Sequence, residues 1–175
     1  MLAKQATTFN LLSKEGLSSS EIKNLLASLK IFPTPFKGIY YVPSPQERRA
    51  TFIDKPLFVL NRIVALYLGS DKFYFSCATA EEYIGSKWSP GNIVHIVNEK
   101  RSGKIDLLKR IGRNEKKKTY RSKKIATLLS YYGYEVIFHR GSVYGAKFKQ
   151  TPYGRFALKS QITKDRKRFR ENLET

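Results

Sequence analysis

The clearest periodicity lies in the first thirty residues. Ile22, Leu25, Leu26 and Leu29 recur at i, i+3, i+4 and i+7, one stripe of a helix, while Ser20, Lys23, Asn24, Ala27 and Lys30 fall on the other face. Ser18 and Glu21 precede the stripe at capping-box spacing. A shorter helix is expected over residues 7–14, with Phe9, Leu11 and Leu12 on it and Gly16 as its stop. After the second helix, Pro33-Thr34-Pro35 forbids further helix. Residues 36–42 read as a turn and a strand, closed by Pro43-Ser44-Pro45. Helix, short turn, helix and small β-ribbon is the order of a winged helix-turn-helix, assigned here to residues 1–46.

Residues 47–175 alternate strand and helix patterns, which predicts an α+β domain with a mixed or antiparallel sheet. Residues 46–56 carry Arg48 and Arg49 and read as a linker. Residues 57–69 are strongly apolar at helical spacing and predict a buried helix. Residues 73–76 predict a strand, 79–84 a helix ended by Gly85, and 93–97 a central strand with almost no polar break. Residues 104–110 fit either strand or short helix. Residues 120–132 show a helix stripe of Ile125, Leu128, Leu129 and Tyr132. Residues 134–139 and 143–149 predict two strands of a hairpin turning at Gly141-Ser142. Residues 155–159 fit a short strand, and 162–173 a basic helix.

Charge changes the picture. The 175 residues hold 33 Lys and Arg against 14 Asp and Glu, a net charge of +19. The excess is uneven: residues 112–175 carry 17 basic and 5 acidic side chains. Two runs concentrate it, residues 100–124 and the Lys-Asp-Arg-Lys-Arg-Phe-Arg stretch at 164–170. A one-signed excess of this size points to a polyanion, ordinarily nucleic acid, as partner. Such contacts to phosphate supply affinity without reading sequence.

In a winged helix-turn-helix the second helix enters the major groove. Asn24 suits adenine, and Lys23 suits guanine or phosphate. Ser20, Ala27 and Lys30 share their face, and Thr34 and Lys37 on the wing would meet phosphate or the minor groove. Arg48, Arg49, Lys116, Lys117, Lys118, Arg121, Lys123, Lys124, Arg166, Lys167, Arg168 and Arg170 are the expected phosphate contacts.

The leucine helix, Gly16, the capped second helix and Phe36-Lys37-Gly38-Ile39-Tyr40 together resemble the N-terminal winged helix of AbiEi-type antitoxins and related transcriptional regulators. That family continues with a Tyr/Phe-rich strand entering an alanine-bearing helix. Residues 73–85, Phe-Tyr-Phe-Ser-Cys-Ala-Thr-Ala-Glu-Glu-Tyr-Ile-Gly, are similar to it, and Val94-His95-Ile96-Val97 follows in similar order. The resemblance covers about residues 7–110 and leaves the last sixty or so outside. It implies a regulator that represses its own promoter and pairs with a cognate toxin protein.

Composition narrows the chemistry. One cysteine permits no internal disulfide, and His95, His139 and Cys77 are too few for a structural zinc site. No cofactor or metal is expected. No run of 18 apolar residues occurs, and residues 1–10 lack the long apolar core of a signal peptide, so a cytoplasmic protein without a membrane segment is expected. Glu135 and His139 share a strand face, as a base and its orienting carboxylate would. A surface histidine at the strand end explains the same pattern. Carboxylates are scattered rather than clustered, against a metal nuclease. Cys77 stands between a strand and a helix start, where a thiolate is favoured, yet its neighbours Phe75 and Ala78 argue for packing. Trp88 fits a core edge or a partner surface. Tyr131, Tyr132, Tyr134 and Tyr144 fit stacking on single-stranded bases or core packing. The resulting expectation is a non-enzymatic, sequence-specific binder of double-stranded DNA, as monomer or homodimer. The alternatives are a non-specific DNA- or structured-RNA-binding protein and, behind that, a nuclease.

Overall fold

The structure is a computed structural model, and it describes residues 5–48, 50, 52–86, 91, 93–106, 124 and 135–169. Two helix-and-sheet units make it up, so the chain is mixed α+β as expected. One comprises Met1–Gly69 with Leu108–Tyr131, the other Ser70–Leu107 with Tyr132–Thr175. The expected boundary at 46/47 therefore falls inside the first unit.

The first unit opens with strand β1 (Ala6–Thr8), helix α1 (Phe9–Lys14) and helix α2 (Ser19–Ala27). Strands β2 (Phe32–Pro33) and β3 (Ile39–Tyr41) follow. The three strands form an antiparallel sheet in the order β1-β3-β2. Residues 7 and 8, expected as helix, are strand, and Thr8 caps α1 by accepting the Leu11 N–H at 3.2 Å. Leu12, Ile22, Ile31 and Val42 pack as a buried cluster with Leu17, Leu25, Leu26 and Tyr40 against it. Helix α4 (Pro56–Leu68) packs against β1 and β3 and buries Val59, Leu60, Ile63, Val64 and Leu68. That packing is why the unit extends to residue 69. Gly69, at φ 59°, ends α4 in the left-handed conformation glycine adopts without strain.

The expected linker holds helix α3 (Pro45–Arg48). Its signal is a second capping box: Ser44 Oγ accepts the Glu47 N–H at 3.2 Å, and Glu47 Oε2 accepts the Ser44 N–H at 2.7 Å. Glu47 is buried, and its other oxygen takes the Tyr41 hydroxyl at 2.7 Å and the Asp54 N–H at 2.8 Å. Burial alone would push this carboxyl up, but the hydrogen bonds from Tyr41, Ser44 and Asp54 outweigh it and hold the pKa below the ordinary value.

The second unit is built on a six-stranded sheet, β6-β7-β5-β4-β9-β8. Its members are β4 (Phe73–Ser76), β5 (Ile93–Asn98), β6 (Gly103–Asp106), β7 (Glu135–Arg140), β8 (Phe148–Thr151) and β9 (Gly154–Ala157). The sheet is mixed: β5 runs parallel to β7 and β4 parallel to β9, and the remaining pairs are antiparallel. Strand β5 is central and almost wholly buried, as its unbroken apolar run predicts. Of residues 104–110, left open between strand and helix, 104–106 belong to β6 and 107–110 lie outside the described residues. The hairpin expected across Gly141-Ser142 does not form. Strand β7 lies between β5 and β6, and β8 pairs with β9 instead. Both edges of β7 are taken by β5 and β6, which leaves none for β8.

Helices α5 (Cys77–Tyr83) and α6 (Lys159–Arg168) pack on each other and on β4 and β9. Their core contains Tyr74, Ala80, Val97, Val143, Ala157, Ile162 and Phe169. Helix α6 begins three residues before the expected 162. The expected helix at 120–132 lies outside the described residues apart from Lys124, as do Trp88, Tyr131, Tyr132 and Tyr134. Among the described residues no helix is long and apolar enough to cross a membrane.

Candidate nucleic-acid interface

Helix α2 is pinned at its start. The Ser18 hydroxyl accepts the Glu21 N–H at 3.3 Å, and Glu21 Oε2 accepts the Ser18 N–H at 2.8 Å. The Ser18 N–H, and then its hydroxyl, hold the Glu21 carboxyl below the ordinary range. Ile22 anchors the inner side of the helix. Ser20, Lys23, Asn24, Ala27 and Lys30 lie away from that anchor, and Ser20, Lys23 and Ala27 are exposed, so the polar face read from the sequence is a solvent-facing stripe. The helix stops at Ala27, two residues before Leu29, the last of the apolar stripe. Leu29 takes φ 57° and the Lys30 N–H returns to the Leu25 carbonyl at 2.9 Å. That reversal places Ile31 and Phe32 in the core and begins β2. Lys30 therefore lies just beyond the helix rather than on it.

The β2–β3 turn is organised by Thr34. Its hydroxyl lies 2.9 Å from the Ile39 carbonyl and 3.2 Å from that of Phe36, and accepts the Phe36 N–H at 3.2 Å. A hydroxyl so placed holds the turn. Gly38, at φ 77°, completes the tight reversal, and Lys37 beside it is exposed at the tip. Lys23, Lys30 and Lys37 have no ion-pair partner among the described residues. Their charge is available to an external anion.

The other expected contacts divide. Arg48 is half-buried on α3. Lys167 and Arg168 are exposed in the last turn of α6, and Arg166 there is held by Glu81 at 2.6 Å. Lys124 is corrected outright. It is 1% exposed, and its ammonium donates to the carbonyls of Glu47 at 2.9 Å, Ala50 at 3.2 Å and Phe52. Burial pulls its pKa down, and the Glu47 charge opposes that. This lysine binds α3 and the residues after it, and its buried ammonium is not offered to DNA. Arg49, Lys116, Lys117, Lys118, Arg121, Lys123 and Arg170 lie outside the described residues.

In the second unit the histidine reading changes. His139 is buried, not at the surface, and its Nε2 pairs with His95 Nδ1 at 3.0 Å across the parallel strands. Its ring stacks on Phe169 with centroids 4.3 Å apart. Burial pushes its pKa down to about 4, although Asp165 pulls the other way, so the ring is neutral at pH 7. Glu135 does not orient it, because that carboxylate pairs with Lys104 at 3.1 Å. Cys77 is buried, and burial pushes its thiol up to about 11, which suits packing rather than nucleophilic attack. Of the candidate stacking tyrosines, Tyr144 is 95% exposed. Among the described residues no three His, Cys, Asp or Glu side chains group as metal ligands. In comparisons with family models, curated proteins and solved structures, the chain matches none of them.

Proposed function

We propose that the protein is a DNA-binding transcriptional regulator in which α1, α2 and the β2–β3 hairpin act as a winged helix-turn-helix. The observation that carries this reading is the uncompensated polar face of α2 and its exit: Ser20, Lys23, Asn24, Ala27 and Lys30 lie on the outer side while Ile22 is locked into the core. A groove-reading helix needs that division, with one face fixed by packing and the other free to meet base edges. Lys37 at the hairpin tip is placed to meet phosphate beside the groove. In line with the resemblance to AbiEi-type antitoxins, the regulator would repress its own promoter and pair with a toxin protein in the cytoplasm.

A salt series tests it. Binding to the DNA upstream of the gene is compared with scrambled duplex and single-stranded RNA of equal length. Preference for the upstream DNA of ~100-fold or more, persisting as salt rises, is expected for base readout. The double variant Lys23→Ala/Asn24→Ala should cost roughly 1–3 kcal/mol for each base that α2 no longer reads. If the double variant bound the preferred site as tightly as the native chain, α2 would not be the reading helix. Equal binding of all three nucleic acids, vanishing together with salt, would mean that the net charge of +19 acts alone.

A further inference from the structure

The second unit carries a cavity that DNA reading by α2 does not use. Strands β5 and β7 run parallel, so both carboxyl ends open on the same edge of the sheet. Crevices outside the carboxyl ends of parallel strands are recurrent ligand sites in open sheets. Here the space is about 420 Å³ and is lined by Glu99, Arg140, Gly141, Ser142 and Arg168. Small-molecule sites run from roughly 300 to 1,000 Å³. The volume therefore has room for an anion and a group attached to it.

The walls are braced. Asn98 Oδ1 accepts the N–H groups of Lys100 at 2.9 Å and Arg101 at 2.7 Å. Its Nδ2 donates to the carbonyls of Arg101 at 2.9 Å and His139 at 3.3 Å. The Gly141 N–H donates to the Asn98 carbonyl at 2.8 Å, and the Val143 N–H to Glu99 Oε1 at 3.2 Å. The two strand exits are thereby tied to each other. Gly141 is buried, and a Cβ there would stand 3.2 Å from Arg168 Nη1 and 3.2 Å from Val97 Cγ1. The Arg168 guanidinium therefore lies close over the loop at Gly141.

Two guanidiniums of different elements, Arg140 at the end of β7 and Arg168 at the end of α6, thus face one cavity. Both are exposed, and neither has an ion-pair partner among the described residues. Arg168 is also steadied over the Phe169 ring, 5.5 Å from its centroid. Paired guanidiniums are the usual recognition elements for tetrahedral oxyanions, because each offers a planar fork of donors. Ser142 lies at the same rim, where its hydroxyl accepts the Tyr144 N–H at 3.2 Å and so shapes the loop. We propose that this cavity is a phosphate-binding site, holding the phosphate of a nucleotide or of a nucleic-acid strand between Arg140 and Arg168. Glu99 gives the site a brake: its negative charge weakens the anion while its Oε1 keeps the Val143 N–H.

The full chain is titrated by calorimetry, at constant ionic strength in chloride, with inorganic phosphate, adenosine monophosphate, adenosine, and a short single strand with and without a 5′-phosphate. The monophosphate should bind and adenosine should not. Arg140→Ala and Arg168→Ala should each weaken binding about 10-fold or more, the worth of a hydrogen bond to a charged group. Both side chains are exposed, so both variants should melt as the native chain does. Glu99→Gln should tighten binding, which loss of a merely structural glutamate would not do. Dependence on the two arginines seen with small phosphates assigns the site to free esters. The same dependence seen only with the strand assigns it to nucleic acid. Adenosine binding as well as its monophosphate, no phosphate probe binding, or unchanged affinity in both arginine variants would overturn the site. Helix α2 supplies no residue to this cavity, and the small phosphate probes present no duplex groove for it to read, so the assignment of the DNA-reading helix stands or falls separately.

Discussion

Asp165 offers the sharpest test of how the second unit holds together. It lies on α6, is 3% exposed, and gathers donors from two elements. The Ser76 hydroxyl reaches it from β4 at 2.6 Å, the Tyr74 hydroxyl from the same strand at 3.1 Å, and Gln161 Nε2 from one turn earlier on α6 at 2.8 Å. Burial, and then the Asp165 charge, push the Tyr74 phenol far above its ordinary pKa, so it stays a donor. In Asp165→Ala, three donors in a buried setting are left without that acceptor. A hydrogen bond to a charged group contributes roughly 1.5–3 kcal/mol, and a buried unsatisfied donor costs roughly 1–3 kcal/mol. These terms overlap, and removal of the buried charge offsets part of them, which leaves a loss on the order of 4 kcal/mol. With a urea slope of roughly 1–3 kcal/mol per molar, the midpoint of this unit's transition falls by about 2 M. Urea unfolding at pH 7, with amide exchange of β4 to localise the loss, measures it. Ser76→Ala alone should cost about 1.5–3 kcal/mol, and the double-mutant cycle should show coupling of similar size. A loss below about 1 kcal/mol in Asp165→Ala, or strict additivity with Ser76→Ala, would refute the account.

Lys124→Ala should destabilise the first unit by roughly 2–5 kcal/mol, because three carbonyls are left without a charged donor, while the salt slope of DNA binding stays unchanged. Lys37→Ala should do the reverse, leaving stability within about 0.5 kcal/mol and lowering the salt slope by about one. Stability should also fall in acid. The unfolded His139 takes its proton near pH 6.5 and the folded one near 4, so its contribution is complete above 6.5 and lost as pH drops through that window. The loss amounts to about 3 kcal/mol. Denaturation midpoints at pH 7, 5.5 and 4 follow it, and His139→Gln should flatten the profile; an equal slope in that variant would assign the acid loss elsewhere.

Much of the local structure was legible because it rests on near neighbours in sequence. The Ser18–Glu21 box, the inward Ile22 and outward Lys23 and Asn24, and the strands around residues 74, 95 and 137 each follow from spacing a few residues long. So does the uneven positive charge. A second box, Ser44-Pro45-Gln46-Glu47, stood in the sequence just as plainly, but the charged residues beside it suggested a linker.

What the sequence could not decide was partnership. Strand β7 reads as a strand from its own residues, yet its parallel neighbour β5 lies some forty residues away, and the hairpin that chain proximity suggested does not form. Lys124 belongs to a basic run and reads as a surface charge. Its burial depends on carbonyls more than seventy residues away. Asp165 likewise finds Tyr74 and Ser76 only when α6 packs on β4, and Arg140 and Arg168 face one cavity only through the same packing. Helix period, caps and strand alternation are set by backbone geometry within a few residues. The fate of a buried charge is set by which distant donors and acceptors the packed chain brings to it, and that is a property of the tertiary structure alone.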